Sequence, residues 1–281
     1  AAALLIGGKV WDGVVIFSRR RLRLESIAAE EPDKQEESEM APFETMDTPP
    51  IGPHDPPPVS IINRHGAGRV LLTGDHVSNA VPLAMDNLGL APEVLRQHVA
   101  YDIGTDKLIR HLAQHLDAPA VLAGYSRLIV DLNRSLEDPT AFPEVSDNIP
   151  IPGNQGLSRE DKALRIGSIY KPYRVAIDGM LNAFRSRGIT PALIAIHSFT
   201  PAMAGVWRPW HVGLLWDKDP RIPKPLLKRL RAHPEGFNIG DNQPYSGKHP
   251  ADYTIDHHAE ANGLPHVSIE VRQDLIEDDA G

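Results

Sequence analysis

The chain has 281 residues, a formal net charge of −8 and a hydrophobic content of 41%. The composition is ordinary for a globular protein, and the length suits one large α/β domain or two small ones with a sizeable core. The acidic balance argues against a nucleic-acid-binding protein, and the absence of cysteine excludes disulfides, cysteine zinc sites, iron–sulfur clusters and thiol nucleophiles. Any metal must therefore bind to His, Asp and Glu, and no apolar run reaches the length of about 18 residues that predicts a membrane span.

The first 60 residues differ in composition from the rest of the chain. A short apolar stretch precedes an arginine cluster over 19–23 and an acidic run over 30–39. A signal peptide has its positive charge before the apolar run, so this order argues against one and favours the cytoplasm. The segment 30–60 is rich in Glu, Pro, Asp and Ser, which predicts disorder. We therefore expect a disordered or non-native extension over 1–60 and a single domain over 61–281.

Two questions about the chain ends stay open at this point. Residues 1–39 are either a flexible native tail or translated upstream or cloning sequence, with Met40 or Met46 as the alternative start. No helical pattern follows the last predicted strand, which would fit a truncation after Gly281.

Short apolar segments and amphipathic segments alternate along the rest of the chain. The predicted strands lie at 70–73, 120–123, 128–132, 192–197, 211–216 and 267–271. The predicted helices lie at 92–99, 105–116, 158–187, 225–232 and 250–262. This alternation predicts an α/β fold of three layers, α/β/α, with a mostly parallel or mixed central sheet. In such sheets, ligands bind at the carboxyl ends of the strands.

Local signals predict several helix ends. Thr105 is expected to cap the helix that it begins. Ser158, with Asp161 three residues later, forms a variant of the capping box. Pro172 predicts a kink in the long helix that follows, and Gly188 predicts its end.

Polar residues stand where several predicted strands end. His76 and His197 follow or end two of the strands, Glu270 lies in the last one, and Arg127 and Arg134 flank the third. Two histidines with acidic neighbours are suitable ligands for a zinc ion that keeps one coordination position open. A nearby glutamate could act as the general base that takes a proton from a water molecule on that ion. An Arg pair suits an anionic substrate. A single residue of this kind more often has a structural role. The presence of five such residues at strand ends nevertheless favours a functional site.

Several well-known signatures are absent from the sequence. Residues 124–128 lack the final glycine of a nucleophile elbow. There is no Walker A motif, no dinucleotide-binding fingerprint and no His-Glu-x-x-His motif. These absences argue against the enzyme classes that depend on those motifs.

A series of motifs in one order resembles the N-formylglutamate amidohydrolase family. They span about residues 65–277 and are, in chain order, DHVSNAVP (75–82), YDIG (101–104), SRLIVDLNR (126–134), IHSFTP (196–201), NQPYS (242–246) and GLPHVSIEVRQDLI (263–276). Each motif is weak alone, whereas the set is specific. The resemblance implies a zinc-carboxypeptidase-like α/β/α fold. It also implies hydrolysis of a linear amide, N-formyl-L-glutamate, to formate and L-glutamate, the last step of one bacterial route of histidine degradation.

The resemblance implies a set of metal-binding residues. His76 and His197 match the two zinc-binding histidines, with Zn²⁺ or another divalent metal as the cofactor. In the related zinc carboxypeptidases and acylases a Glu stands three residues after the first His, where this chain has Asn79, a poor zinc ligand. Asp102, in the family's acidic motif, is the favoured third ligand, and Asp75 and Asn79 stay as alternatives.

The resemblance also implies catalytic and substrate-binding residues. Glu270 matches the general base, and Arg127 is placed like the arginine that polarises the scissile carbonyl. Asn133 and Arg134 resemble the pair that holds a substrate carboxylate, and Tyr245 resembles a tyrosine that closes over the pocket. The implied partner is a small acidic N-acyl amino acid, with no nucleic-acid or membrane partner.

Two further hypotheses stay open. The motifs define the metal chemistry better than the acyl pocket, so the enzyme could be an amidase for another N-acyl amino acid or a small peptide. The segment 207–210 could then lie beside that pocket. Asn79 also leaves open a catalytically degenerate protein that binds a metal or a ligand. The oligomeric state is not predicted.

Overall fold

The computed structural model describes residues 50–248 and 252–278, together with the backbone of two short strands near the start of the chain. These strands, Ala2–Ile6 and Lys9–Gly13, pair in antiparallel fashion. The rest of the predicted extension before residue 50 lies outside the described residues. Within the described ranges, none of the helices combines the length and apolarity required to cross a bilayer.

A central sheet of seven strands forms the core of the domain. The strands are β1 (Val59–Ile62), β2 (Val70–Gly74), β3 (Ala120–Ala123), β4 (Ala192–Phe199), β5 (Val212–Leu215), β6 (Ile239–Asp241) and β7 (His266–Arg272). Their spatial order is β6-β5-β7-β4-β2-β3-β1. The pairs β2–β3, β2–β4, β4–β7 and β5–β6 are parallel, whereas β1–β3 and β5–β7 are antiparallel. The predicted mixed sheet is therefore confirmed.

Helices flank the sheet and complete the three-layer α/β/α architecture. They are α1 (Pro92–Leu95), α2 (Thr105–His115), α3 (Arg159–Arg165), α4 (Lys171–Ser186), α5 (Pro223–Arg231) and α6 (Tyr253–His258). Helix α2 buries an apolar face that includes Leu108 and Ile109, and α4 buries Tyr173, Ile177 and Phe184 in the same core.

The predicted strand at 128–132 is wrong. This segment is a series of buried turns, in which Ile129 N donates to Ser126 O and Arg134 N donates to Asp131 O. Its carbonyls bond to side chains instead of to a neighbouring strand: Asn154 donates to Leu128 O, and Arg165 donates to Ile129 O. A buried loop with satisfied backbone groups gives the same apolar pattern as a strand.

Several predicted helix limits also change. The helix at 92–99 is confined to α1, and the one at 250–262 consists of α6 followed by the 3₁₀ turn Glu260–Asn262. The predicted helix at 158–187 contains a π-helical turn, Ile166–Tyr170, immediately before α4, so the irregularity precedes Pro172. The capping box of Ser158 and Asp161 is confirmed.

Thr105 does not cap α2, contrary to the sequence-based expectation. Gly104 occupies the N-cap position with a left-handed φ of 84°, and the Thr105 hydroxyl donates to Asp102 O. A Cβ on Gly104 would lie 2.3 Å from Ile276 O. Glycine is therefore required at this position by both backbone angle and space.

The edge strand β1 was not predicted from the sequence, and it begins at Val59, before the expected domain start at residue 61. It pairs with β3 at the end of the sheet. Because β2, β3, β4 and β7 run parallel, the loops that leave their carboxyl ends meet at one edge of the sheet.

Candidate functional site

Two buried histidines lie at this carboxyl edge. His76 follows β2, and His197 lies within β4, the neighbouring parallel strand. Their ring centroids are 5.3 Å apart. Both side chains are almost fully shielded from solvent.

Asp102 joins the two histidines. Its Oδ2 lies 2.9 Å from His197 Nδ1 and 3.6 Å from His76 Nδ1. The loop that carries Asp102 is tied to the first histidine, because Asp102 N donates to His76 O at 2.8 Å. The two histidines hold the pKa of Asp102 below its ordinary value, although burial opposes this shift. The three side chains thus form a group whose ligand atoms could hold one metal ion.

The second ring nitrogen of each histidine faces other buried carboxylates. His76 Nε2 lies 2.8 Å from Asp131 Oδ1. His197 Nε2 lies 3.6 Å from Asp75 Oδ2 and 3.8 Å from Asp252 Oδ2. Burial alone would lower the pKa of His197, but the hydrogen bond to Asp102 and the nearby negative charges raise it to about 10.

Of the alternative third ligands, the structure places only Asp102 between the two histidines. Asn79 instead donates its side-chain amide to Leu95 O at 2.8 Å. Asp75 belongs to the other group, with His197 and Asp252, where Tyr173 donates its hydroxyl to Asp75.

Glu270 lies beside His197, because the parallel register of β4 and β7 pairs these two residues directly. Its carboxylate is buried, and Oε2 has no hydrogen-bond partner among the described residues. Burial raises the pKa of Glu270 to about 7, although His197 opposes the shift. This carboxyl group is therefore able to exchange a proton near neutral pH.

Arg127 is held between two of the carboxylates. Its Nη2 donates to Asp131 Oδ2 at 2.8 Å, and its Nη1 lies 3.6 Å from Asp102 Oδ1. Asp131 therefore contacts both Arg127 and His76, and these two neighbours hold its pKa well below the ordinary value despite burial.

Asn133 and Arg134 follow Asp131 in the same buried turn. Asn133 Oδ1 accepts a hydrogen bond from Thr254 N, which joins this turn to the first turn of α6. Arg134 Nε lies 3.9 Å from Asp138 Oδ2, and its backbone carbonyl accepts the Tyr170 hydroxyl.

All eight predicted site residues line one cavity of about 750 Å³. They are His76, Asp102, Arg127, Asn133, Arg134, His197, Tyr245 and Glu270. The wall also contains apolar side chains, among them Val145, Phe199 and Met203. The arrangement combines potential metal ligands, a carboxyl group that titrates near neutrality and cations that could bind an anion.

Three features of this site were not predicted from the sequence. Asp131 was noted within a motif, but its contact with His76 was not predicted. Asp252 had no sequence signal, since it reaches His197 from a segment far apart in the chain. Arg208 lies in the segment 207–210 that was expected beside the pocket, but its contact with Tyr245 was not predicted.

The model of the N-formylglutamate amidohydrolase family matches residues 68–277. Among solved structures, the gene product Atu2144 from Agrobacterium tumefaciens is 32% identical, with a TM-score of 0.76 and coverage of 79% of this chain and 88% of that chain. The N-formylglutamate amidohydrolase from Ralstonia eutropha JMP134 is 20% identical, with a TM-score of 0.57 and coverage of 78% and 86%, a likeness that shows the fold. A comparison with curated proteins finds no match. Because the family model spans most of the described domain, the chain belongs to the N-formylglutamate amidohydrolase family.

Proposed function

We propose that the protein hydrolyses the formyl amide of N-formyl-L-glutamate to formate and L-glutamate. The observation that carries this proposal is the buried group of His76, Asp102 and His197 with Glu270 beside it, in a chain of this family. The proposal extends to the family's pathway, the last step of a bacterial route of histidine degradation in the cytoplasm.

The side chains of His76, Asp102 and His197 are suitable ligands for a divalent metal ion, and Zn²⁺ is the ion that we propose. His76 Nδ1 is buried without a hydrogen-bond partner, while its Nε2 is held by Asp131. Metal-binding histidines characteristically direct their other nitrogen at a carboxylate in this way. Imidazole and carboxylate donors suit zinc. When bound, such an ion supplies Lewis acidity that polarises a carbonyl and acidifies water.

Glu270 is proposed as the general base. Its carboxylate takes a proton from the attacking water and delivers that proton to the nitrogen of the leaving amine. A pKa of about 7 suits both steps, because the group can accept and release a proton near neutral pH.

Arg127 is proposed to stabilise the negative charge that develops on the carbonyl oxygen. Its contact with Asp131 fixes the guanidinium before the substrate binds, so little reorganisation is needed during the reaction. A well-placed donor of this kind contributes about 3–4 kcal/mol to the stabilisation of the transition state.

Asn133 and Arg134 are proposed to bind a substrate carboxylate, and Tyr245 is proposed to close over it. A guanidinium matches a carboxylate with two parallel hydrogen bonds. This contact would hold the amide next to Glu270, and its loss would reduce the rate by orders of magnitude.

The cavity favours a second candidate, an amidase for a larger N-acyl amino acid or a small peptide. Its volume of about 750 Å³ falls within the roughly 300–1,000 Å³ typical of sites for drug-sized ligands. Exposed apolar side chains on its wall, Val145 and Met203, could contact a longer acyl group.

A panel of three substrates separates the candidates. Purified, zinc-loaded protein is given N-formyl-L-glutamate, N-acetyl-L-glutamate and N-octanoyl-L-glutamate, and the released acid and glutamate are both quantified. Equal amounts of formate and glutamate, with the formyl substrate preferred, support the proposal. A preference for the octanoyl substrate supports the second candidate. If no acid and no glutamate are released from any of the three substrates, both candidates are contradicted for amides of glutamate.

A further inference from the structure

Arg208 is a buried cation without an acidic partner among the described residues. It is 9% exposed, and its guanidinium bonds to Tyr245 Oη, Thr200 Oγ1 and Met203 Sδ. The two arginines of the cavity wall each have a carboxylate within 4 Å, Asp131 for Arg127 and Asp138 for Arg134. Burying a charge costs free energy unless surrounding groups compensate it. We therefore expect this buried cation to have a function.

The guanidinium fixes Tyr245 through two contacts. Arg208 Nη1 donates to the Tyr245 hydroxyl oxygen at 2.9 Å, and the centre of the guanidinium lies 4.9 Å from the centroid of the same ring. The first contact is a charge-assisted hydrogen bond, and the second is within the range of a cation–π interaction.

The backbones of both residues are fixed as well. Arg208 N donates to Pro201 O at 2.8 Å. In the loop that carries Tyr245, Asn242 Oδ1 accepts hydrogen bonds from Trp216 N and Gly247 N. This loop also lies directly against Gly213, where a Cβ would be 1.9 Å from Gln243 O.

The polarity of the hydrogen bond determines what Tyr245 can do. A guanidinium only donates, so the tyrosine oxygen accepts from Arg208 and its own hydrogen remains available to another acceptor. Tyr245 lines the cavity with Thr200 and Met203. Burial and the negative charge of Glu270 raise the pKa of Tyr245, which keeps its proton in place at neutral pH.

We propose that Arg208 is a positioning residue that holds Tyr245 at the cavity wall, with the tyrosine hydroxyl as a hydrogen-bond donor to an anionic group of the substrate. The inference rests on the proposed function for the identity of that substrate. Much of the wall carries carboxylates, Asp102, Asp131 and Glu270 among them. The pair of Arg208 and Tyr245 adds a donor and a positive charge where an anionic substrate needs both.

A double-mutant cycle tests whether Arg208 acts through Tyr245. R208Q, Y245F and the double variant are compared with the parent protein in kcat and KM for N-formyl-L-glutamate. Each single change is expected to raise KM about tenfold, the size expected for a hydrogen bond to a charged group, with a smaller effect on kcat. The double variant is expected to match Y245F. Multiplied losses in the double variant would overturn the proposal.

Two further variants guard against a merely structural effect. R208K retains the charge and is expected to recover part of the loss in KM, whereas R96Q, at an exposed arginine, is expected to match the parent protein. Thermal unfolding of each variant checks that it folds. Failure of R208K to recover any of the loss in a folded protein would contradict the charge-assisted contact.

A spectroscopic measurement separates this inference from the proposed reaction. Ultraviolet titration of the parent protein minus that of Y245F gives the ionisation of Tyr245 without any turnover. R208Q, measured against the double variant, should shift this ionisation to higher pH, because the phenolate loses a neighbouring cation. No shift would overturn the role of Arg208. Absence of formate release by the parent protein, with the shift present, would instead contradict only the proposed reaction.

Discussion

Each of the two central histidines uses its ring nitrogens differently. The Nδ1 atoms of His76 and His197 face Asp102, whereas their Nε2 atoms face other buried carboxylates. A histidine held in this way has little freedom to rotate, so its ligand atom is in place before a metal binds. The contact of His76 with Asp131 is the shortest of the Nε2 contacts.

Asp131→Asn tests this orienting role. The substitution removes the charge that faces His76 and Arg127, and we expect zinc affinity to fall by about 10–100-fold, as is typical when such a partner is lost. Competition with a chromophoric chelator measures the affinity. Asp147→Asn is the matched control, because Asp147 lies on the same cavity but contacts His98 instead. An unchanged affinity in Asp131→Asn would show that His76 needs no such support.

At the scale of elements, the buried turns at 128–132 take the place of a predicted strand. Asn154 supports them with two hydrogen bonds from its side-chain amide, to Leu128 O and Pro143 O, and it also accepts one from Arg165. These turns carry Arg127 at one end and Asp131, Asn133 and Arg134 at the other. The position of the side chains proposed to bind the substrate therefore depends on a buried amide.

Asn154→Ala is expected to lower the free energy of unfolding by about 2–3 kcal/mol, because it leaves buried carbonyls and part of a buried guanidinium unsatisfied. Urea denaturation measures the loss. Asn182→Ala, at an exposed position of α4, is the control. A loss in Asn154→Ala no greater than in this control would mean that water satisfies the turns.

Helix α6 contains a histidine that links stability to pH. His258 is 1% exposed and lies 2.9 Å from Asp178, but burial and the charge of Arg174 lower its pKa to about 4. The unfolded chain has the ordinary histidine pKa of about 6.5 and binds a proton that the folded chain excludes. Stability should therefore fall as the pH falls from about 6.5 to 4.

His258→Gln removes this titration. The free energy of unfolding that is lost over that pH range should therefore be smaller in the variant, by on the order of 2 kcal/mol. Urea unfolding at several pH values between 7 and 4 measures the slope. His54→Gln, at an exposed histidine, is the control. An identical slope in His258→Gln and the parent protein would show that His258 does not contribute.

An element could be predicted from the sequence when the residues that stabilise it lie close together in the chain. The capping box of Ser158 and Asp161 spans three residues and could be predicted correctly. The turns at 128–132 could not, because their carbonyls are satisfied by Asn154 and Arg165, more than 20 residues away. The contacts of Asp252 with His197 and of Arg208 with Tyr245 arise from the tertiary fold, so no local pattern indicated these partners.

At the scale of the whole molecule, the sheet brings the site residues together. The parallel run β7-β4-β2-β3 places residues from widely separated segments at one edge. The predicted site residues could be selected from the sequence because several of them stand at strand ends within the family's motifs. The sequence did not predict the cavity volume, since the wall is built by the loops between these strands.

The central claim is that Glu270 transfers protons at a metal site formed by His76, Asp102 and His197. Zinc content and formate release, measured on the same preparation of Glu270→Gln, test this claim most directly, with Glu93→Gln as the control at an exposed glutamate. We predict that the parent protein and Glu270→Gln each bind one equivalent of zinc, and that the variant releases formate from N-formyl-L-glutamate at least about 100-fold more slowly. Turnover at the parental rate in the zinc-loaded variant would contradict the account.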